Sequence, residues 1–428
     1  MKSIVARFAS VMLLSSALAG SVVGVSAPAS AQSVQASSLS AERLGRLTEM
    51  LQAYVDQGRI AGAVVKIQQD GRDVYSEAVG WRDKEARDPM REDTIFRIAS
   101  QTKALTSVAA MMLMEEGKLL LDDPVGKHLP EWSKTNVAVA RPDGGYDVVP
   151  AKRPITIRDL LTHSAGISYG SGPAEKAWRD AGIFGWYFAD RKEPVASVVA
   201  RMAALPMAAQ PGEQFVYGYN TDILGVVVEK ISGKTLAAFL DERLIRPLGM
   251  KDTSFFLPRE KAARLATVYS AGAGALRRAA DPGAWQNGHI GQGHYLNGPR
   301  VAHSGGAGLL STAGDYSRFL EMLRRGGELD GRRYLSRKTV ELMTADHLGA
   351  IPYNPGMGFG LGFSIREDVG VAGAPGSESE FGWGGAYHSQ YWVDPQERLT
   401  ISYMIQLIPA GDVDDVGKLR ALLYQAVE

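Results

Sequence analysis

The 428-residue sequence contains no cysteine. That absence removes thiolate nucleophiles, Cys-ligated zinc and iron–sulfur clusters from consideration, and leaves a packed core rather than disulfides to hold the fold. An excess of either charge is also missing. Lys plus Arg and Asp plus Glu both total 47, so the formal net charge is zero. Nucleic-acid binding needs a basic excess, so this balance implies no nucleic-acid partner and suits a neutral or small substrate. After the first thirty residues no stretch approaches about 18 uninterrupted apolar positions, which predicts no stable membrane insertion of the mature chain.

The N-terminus differs from the rest. Lys2 and Arg7 precede an apolar run from Phe8 through Val25, and Ala29-Ser30-Ala31 supplies the small residues of a cleavage site. Residues 1–31 therefore read as a signal peptide, with Gln32 as the new N-terminus and an exported, periplasmic or secreted, product. Residues 32–428 read as one catalytic domain; apolar residues at 45% and charged residues at 22% are ordinary for a globular enzyme.

Residues 41–57 place Leu44, Leu47, Leu51 and Val55 on one helical face. Residues 63–69 and 74–79 are strand-like and flank Asp70-Gly71, a hairpin signal. A largely buried helix is expected over residues 101–116, ended by Gly117. From about 119 to 254 the pattern is mostly helices and loops, with helices near 157–161, 195–205 and 222–231. Residues 271–308 are Gly-rich and lack an evident element, as a functional loop would. A second hairpin turns at Asp394-Pro395, and a final helix follows near 413–427. Strands at both ends with helices between them imply one mixed sheet closed by the two termini, with a helical lobe inserted at roughly 119–254.

The sharpest chemical signal is Ser100-Gln101-Thr102-Lys103. At the start of a helix, positions i and i+3 share a face, so hydroxyl and amine can approach each other. The helix N-terminus adds positive potential and free N–H groups for an anionic intermediate. A lysine desolvated there can help deprotonate a serine that is otherwise a poor nucleophile. By itself the four-residue motif also fits a serine N-cap beside a solvated lysine.

Four further segments accompany it: Thr156-Ile-Arg-Asp-Leu-Leu-Thr-His163-Ser-Ala-Gly166-Ile, Tyr217-Gly-Tyr219-Asn220-Thr-Asp222-Ile-Leu-Gly225, Gly305 through Tyr316, and Trp383-Gly384-Gly385-Ala386. Together with Phe96 through Leu119 they resemble the penicillin-recognising serine hydrolases, and more closely the family VIII carboxylesterases, which are similar to class C β-lactamases in fold. The resemblance implies an α/β fold of α+β type: an antiparallel-rich, β-lactamase/transpeptidase-like sheet flanked by helices, with the inserted helical lobe. It implies acylation of Ser100, with Lys103 assisting and Tyr217 as general base. It places the oxyanion hole at the N–H groups of Ser100 and Ala386, and Trp383, Gly384, Gly385 and Tyr219 at the substrate. No cofactor is implied.

Two departures narrow the substrate. β-Lactamases carry Tyr-x-Asn, whereas here Tyr219 stands second after Tyr217 and Asn220 comes one later. K-T-G occurs nowhere, and Trp-Gly-Gly takes its place, so the cation that holds a β-lactam carboxylate is absent. Hydrolysis of a small carboxylic ester is the expected reaction. A β-lactamase or D-alanyl peptidase, an amide hydrolase, an acyltransferase and a non-catalytic envelope-binding module stay open, as does the oligomeric state.

Other residues compete for attention. Gly166-Ile-Ser168-Tyr-Gly170 matches the nucleophile-elbow pattern, but that elbow needs a preceding buried strand and a following helix, and a T-H-S-A-G loop precedes it here. His163 reads as a loop histidine rather than a triad base. His289, His294 and His303 lack helical i, i+4 spacing and a supporting carboxylate pair, so no metal is expected. Gly233-Lys234-Thr235 lacks the first glycine of a phosphate loop, Val228 standing there. Trp178, Trp186, Tyr187 and Trp285 form a hydrophobic pocket rim or pack within the helical lobe.

Overall fold

The computed structural model describes residues 38–272, 275–285 and 288–428, without the side chains of residues 284, 285 and 288–290. The expected signal peptide and the beginning of the mature chain lie outside the described residues.

Helix α1 (Ala41–Asp56) starts at an N-cap, Ser40, whose hydroxyl accepts from the Arg43 amide. It buries Leu44, Leu47, Leu51 and Tyr54; Val55, expected on that stripe, is half-buried because Tyr54 takes the inward position. Strands β1 (Gly62–Gln69) and β2 (Arg72–Asp83) follow as the expected hairpin. Asp70 at φ 52° and Gly71 at φ 76° supply the left-handed pair that a tight two-residue connection requires. A short β3 (Asp88–Pro89) borders them.

The sheet is completed from the far end of the chain by β4 (Met357–Phe359), β5 (Ser364–Arg366), β6 (Phe381–Gly384), β7 (Gln390–Asp394) and β8 (Leu399–Ile405). Its order is β4-β5-β6-β7-β8-β1-β2-β3, and every pairing is antiparallel. Val65 pairs with Tyr403, so the N- and C-terminal parts meet at the centre of the sheet. All seven residues of β8 are buried, because both faces of the sheet are covered. On the outer face α1 and α5 (Asp415–Tyr424) pack over Val65, Ile67, Ile401 and Tyr403. On the inner face Val64, Met404, Tyr391 and Val393 join the larger core formed with the helical region. That core holds α2 (Thr102–Glu115), α3 (Asn220–Ser232) and α4 (Ala313–Arg324), α2 packing against α3.

The fold is therefore the expected antiparallel-rich sheet flanked by helices, wholly antiparallel rather than mixed, with two further corrections. Residues 119–254 include a β-hairpin, Asn136–Ala140 with Tyr146–Pro150, besides their helices. The Gly-rich stretch is not structureless: Tyr269–Ser270 pairs with Arg277–Arg278, Gly283–Trp285 pairs with Gly288–Ile290, and His294–Asn297 forms one helical turn. These ladders are too short to leave a periodic signal.

Candidate active site

Ser100 lies in a single 3₁₀ turn, Ala99–Gln101, that leads directly into α2. Ala99 before it is fully buried at φ 42°, a left-handed conformation that L residues rarely adopt. Such strain persists only where the surroundings over-determine it, and here it sets the direction in which Ser100 leaves the core. Tyr316 donates to the Gln101 carbonyl (2.9 Å), and Thr102 accepts from the Leu309 amide (3.0 Å), so the Gly305–Tyr316 segment pins the start of α2.

Lys103 is 2% exposed. Its Nζ reaches Ser100 Oγ at 3.3 Å, Tyr169 Oη at 3.0 Å and the Gly306 carbonyl at 2.8 Å. The serine and lysine expected to meet do so. The phenol bonded to the lysine, however, is Tyr169, which the sequence did not single out. Tyr217, expected beside Lys103, presents its ring face, with Nζ 4.5 Å from the ring centroid. Its hydroxyl accepts from the Trp383 indole N–H at 3.1 Å, and its ring lies edge-on to that of Tyr169, centroids 5.8 Å apart. The cluster thus joins Ser100, Lys103 and Tyr169 by hydrogen bonds and sets the Tyr217–Trp383 pair against them through ring contacts.

Close backbone approach makes this clustering possible. A Cβ on Gly218 would lie 2.3 Å from the Ile167 carbonyl, so only glycine lets the Tyr217 loop lie on the Tyr169 loop. Ser168, the elbow decoy, turns the other way: its hydroxyl donates to Ser171 O (2.6 Å) and accepts from the Gly170 amide (3.2 Å). The G-x-S-x-G segment contributes its tyrosine, not its serine. Its side-chain directions follow from that tertiary approach, and nothing local signals them.

The electrostatics turn on burial. Tyr169 is held protonated, its pKa raised well above 10.0 by desolvation and then by Tyr217 and Asp222. Asp222, at the start of α3, has its carboxyl pushed up by burial and pulled back by the Lys103 charge. Its Oδ1 accepts from Ser304 Oγ (2.6 Å) and the Gly306 amide (3.0 Å), which fixes the carbonyl that receives Lys103. His163, buried at φ 55°, is held neutral by desolvation and next by Lys103. Its Nδ1 is 2.9 Å from Asn220 Nδ2, its carbonyl accepts from the Val216 amide, and its ring lies 4.6 Å from that of Tyr217. It is a loop histidine that buttresses the Tyr217 segment, as expected.

Strand β6 forms the opposite wall. Trp383, Gly384, Gly385 and Ala386 all line the cavity that contains Ser100, Tyr169 and Tyr217. A Cβ on Gly385 would lie 2.6 Å from the Ile98 carbonyl, so glycine is what lets the turn carrying Ala386 close on the turn carrying Ser100. Tyr219 is a correction. Expected at the substrate, it is 0% exposed, donates to the Gly185 carbonyl at 2.7 Å and stacks on Trp178. Its phenol is drawn away from the cavity, and its ring backs Tyr169, 5.0 Å away. Of the aromatic rim residues, Trp186 lines the cavity while Trp178 and Tyr187 are buried in the core. The Trp285 and His289 side chains lie outside the described residues, His303 packs edge-on against Phe255, and the His294 and Tyr187 rings lie 6.0 Å apart.

A serine beside a buried lysine, with tyrosines behind and a glycine-rich strand alongside, is equipped for acyl transfer. The model of the family described as Beta-lactamase matches residues 47–425. The chain belongs to that family. Beta-lactamase-family relatives include Protein Rv1367c of Mycobacterium tuberculosis, 36% identical over 84% of this chain and 89% of its own length. Esterase EstB of Burkholderia gladioli is 32% identical over 85% of this chain and 89% of its own. Among solved structures, EstCE1, described as a hydrolase with promiscuous acyltransferase activity, is 30% identical with a TM-score of 0.77. The match covers 90% of this beta-lactamase-family chain and 99% of that one.

Proposed function

We propose that this protein is a serine carboxylesterase that cleaves small esters through an acyl-enzyme on Ser100. The observation that carries the reading is the 3.3 Å contact between Ser100 Oγ and Lys103 Nζ on the floor of a cavity walled by Trp383 to Ala386. Lys103 in its amine form takes the proton as Ser100 Oγ bonds to the acyl carbon. The N–H groups of Ser100 and Ala386 receive the oxyanion. Lys103 then returns that proton to the departing alkoxide beside the Tyr217 hydroxyl, so the alcohol leaves neutral. Water attacks the acyl carbon, returns a proton along the same groups, frees the acid and restores the Ser100 hydroxyl.

Esters are favoured over β-lactams because the residue on β6 at the K-T-G lysine position is Trp383, whose indole N–H is engaged by Tyr217 and brings no charge for a carboxylate. The kinship with EstB and EstCE1 supports the same choice. Transfer to an alcohol in place of water uses the same acyl-enzyme. Residues 1–31 are proposed to direct export and to be removed; no helix among the described residues is long and apolar enough to cross a membrane.

The test is turnover of p-nitrophenyl butyrate by the mature chain beside Ser100→Ala, with nitrocefin in parallel. Ester turnover lost in Ser100→Ala, with little nitrocefin cleavage, is the expected result. Activity that survives Ser100→Ala refutes the mechanism.

A further inference from the structure

We propose, resting on the ester-hydrolase reading, that the catalytic cavity continues onto the outer face of β6 as a second subsite. It would hold the remote arm of an extended ester, an uncharged apolar chain. The starting observation is the alternation of β6. Phe381 and Trp383 point inward, so Glu380, Gly382 and Gly384 belong to the outer face. Opposite Gly382 and Gly384 stand Trp392 and Gln390 of β7. The two glycines let the β7 strand and its Gln390 and Trp392 side chains lie close against the outer face of β6. A Cβ would lie 2.3 Å from the Tyr391 carbonyl at Gly382 and 2.6 Å from the Gln390 side chain at Gly384.

Strand β5 pairs with β6 only as far as Ser364 and Gly382, so Trp383 to Gly385 have an open edge toward β5. The cavity turns around that edge. One continuous space of about 600 Å³ is lined by Ser100, Tyr217 and Trp383 at one end and by Trp392, Val416 and Arg420 at the other. Sites that take drug-sized ligands span about 300–1,000 Å³, well beyond the need of a short acyl group.

The far end defines the occupant's chemistry. Arg420 gives two hydrogen bonds to Glu380 (2.6 and 2.7 Å), and its guanidinium lies 4.6 Å over the Trp392 ring. Arg366, 5% exposed, donates to the Ala374 carbonyl at 3.2 Å, while its Nε has no hydrogen-bond partner and stands 3.7 Å from Glu380. Asp394, buried and bonded by Tyr424, supplies the second negative charge. Two arginines against Glu380 and Asp394 leave the cluster neutral. These charges answer one another beneath the Trp392 ring and Val416, so the groove suits an uncharged apolar chain, and an added carboxylate would unbalance the cluster.

Val416, on α5 and outside the Ser100 cluster, is the residue to change. Val416→Trp fills the groove, and Gln390→Phe narrows it from the other wall. Each is assayed on p-nitrophenyl acetate, p-nitrophenyl octanoate and the mono-p-nitrophenyl ester of suberic acid, and on methyl and octyl acetate for the alcohol side. The wild type is expected to favour the octanoate over the suberate ester, whose free carboxylate the neutral cluster does not accommodate. A folded variant is expected to lose about tenfold or more in kcat/KM on the long members of the series whose chain enters the groove, with acetate within about twofold. Equal losses on short and long esters, or no loss on either, overturn the subsite. Acetate turnover by the wild type and its loss in Ser100→Ala test the hydrolase reading separately.

Discussion

Tyr169→Phe tests whether the second phenol of the cluster positions Lys103. The substitution keeps the ring that packs on Tyr217 and Tyr219 and removes only the oxygen 3.0 Å from Lys103 Nζ. A hydrogen bond to a charged group contributes about 1.5–3 kcal/mol. At about 1.36 kcal/mol per factor of ten, that predicts a loss of about 10- to 150-fold in kcat, with KM little changed, because the phenol acts on the lysine and not on the ester. Lys103→Ala alone should lose about 10²- to 10⁴-fold, as removal of a proton acceptor does. The decisive measurement is the double-mutant cycle on p-nitrophenyl butyrate. If Tyr169 works through Lys103, adding Tyr169→Phe to Lys103→Ala costs nothing further, and the coupling equals the whole single-mutant effect. An undiminished loss in the Lys103→Ala background would refute the reasoning, and so would a Tyr169→Phe enzyme as fast as the wild type.

Two other expectations concern the strand and the buried histidine. Gly385→Ala puts a methyl 2.6 Å from the Ile98 carbonyl and from Ser389 Oγ, forcing the Ala386 turn away from Ser100; kcat should fall by about 10²- to 10³-fold, as for loss of an oxyanion donor, and urea unfolding should show a loss of about 1–3 kcal/mol from the clash. For His163 the folded-state pKa is lowered from 6.5 by burial and by Lys103, so the unfolded chain binds a proton there first as pH falls. Its contribution to stability is complete above about pH 6.5 and is lost below it, about 1.4 kcal/mol between pH 7.5 and 5.5. Urea unfolding of His163→Gln at those two pH values should show that much less pH dependence, and an unchanged dependence would sink the assignment.

Much of the framework was legible because its signals are local. Leu44, Leu47 and Leu51 mark one helical stripe, Asp70-Gly71 can only be a tight turn, and the serine three residues before Lys103 fixes their approach once a helix starts there. Tyr169 was not legible. Whether the serine or the tyrosine of Gly166 to Gly170 turns inward depends on the Tyr217 loop pressing against it at Gly218. The Asn136–Pro150 hairpin escaped for a different reason. Val139 and Val148 are exposed, so its residues carry no core-facing alternation to read. Tyr219 was misplaced because the backbone that brings Tyr217 to the cavity turns the second side chain after it into the Trp178 stack.

The meeting of the two chain ends has a consequence for how the molecule comes into being. The Leu39–Val427 bridge, the Ser40 amide on Ala426 and the Glu428 amide on Ser38 tie the first described residues to the last. Between them β1 waits for β8, the most distant partner in the sheet. Contacts so far apart in sequence are slow to form, since the intervening chain must be closed into a loop first. A nascent chain therefore lacks the central ladder of its own sheet until Leu399 to Ile405 have been made. Until then the β1–β2 ribbon presents one unpaired edge, and the arrival of β8 is what covers it.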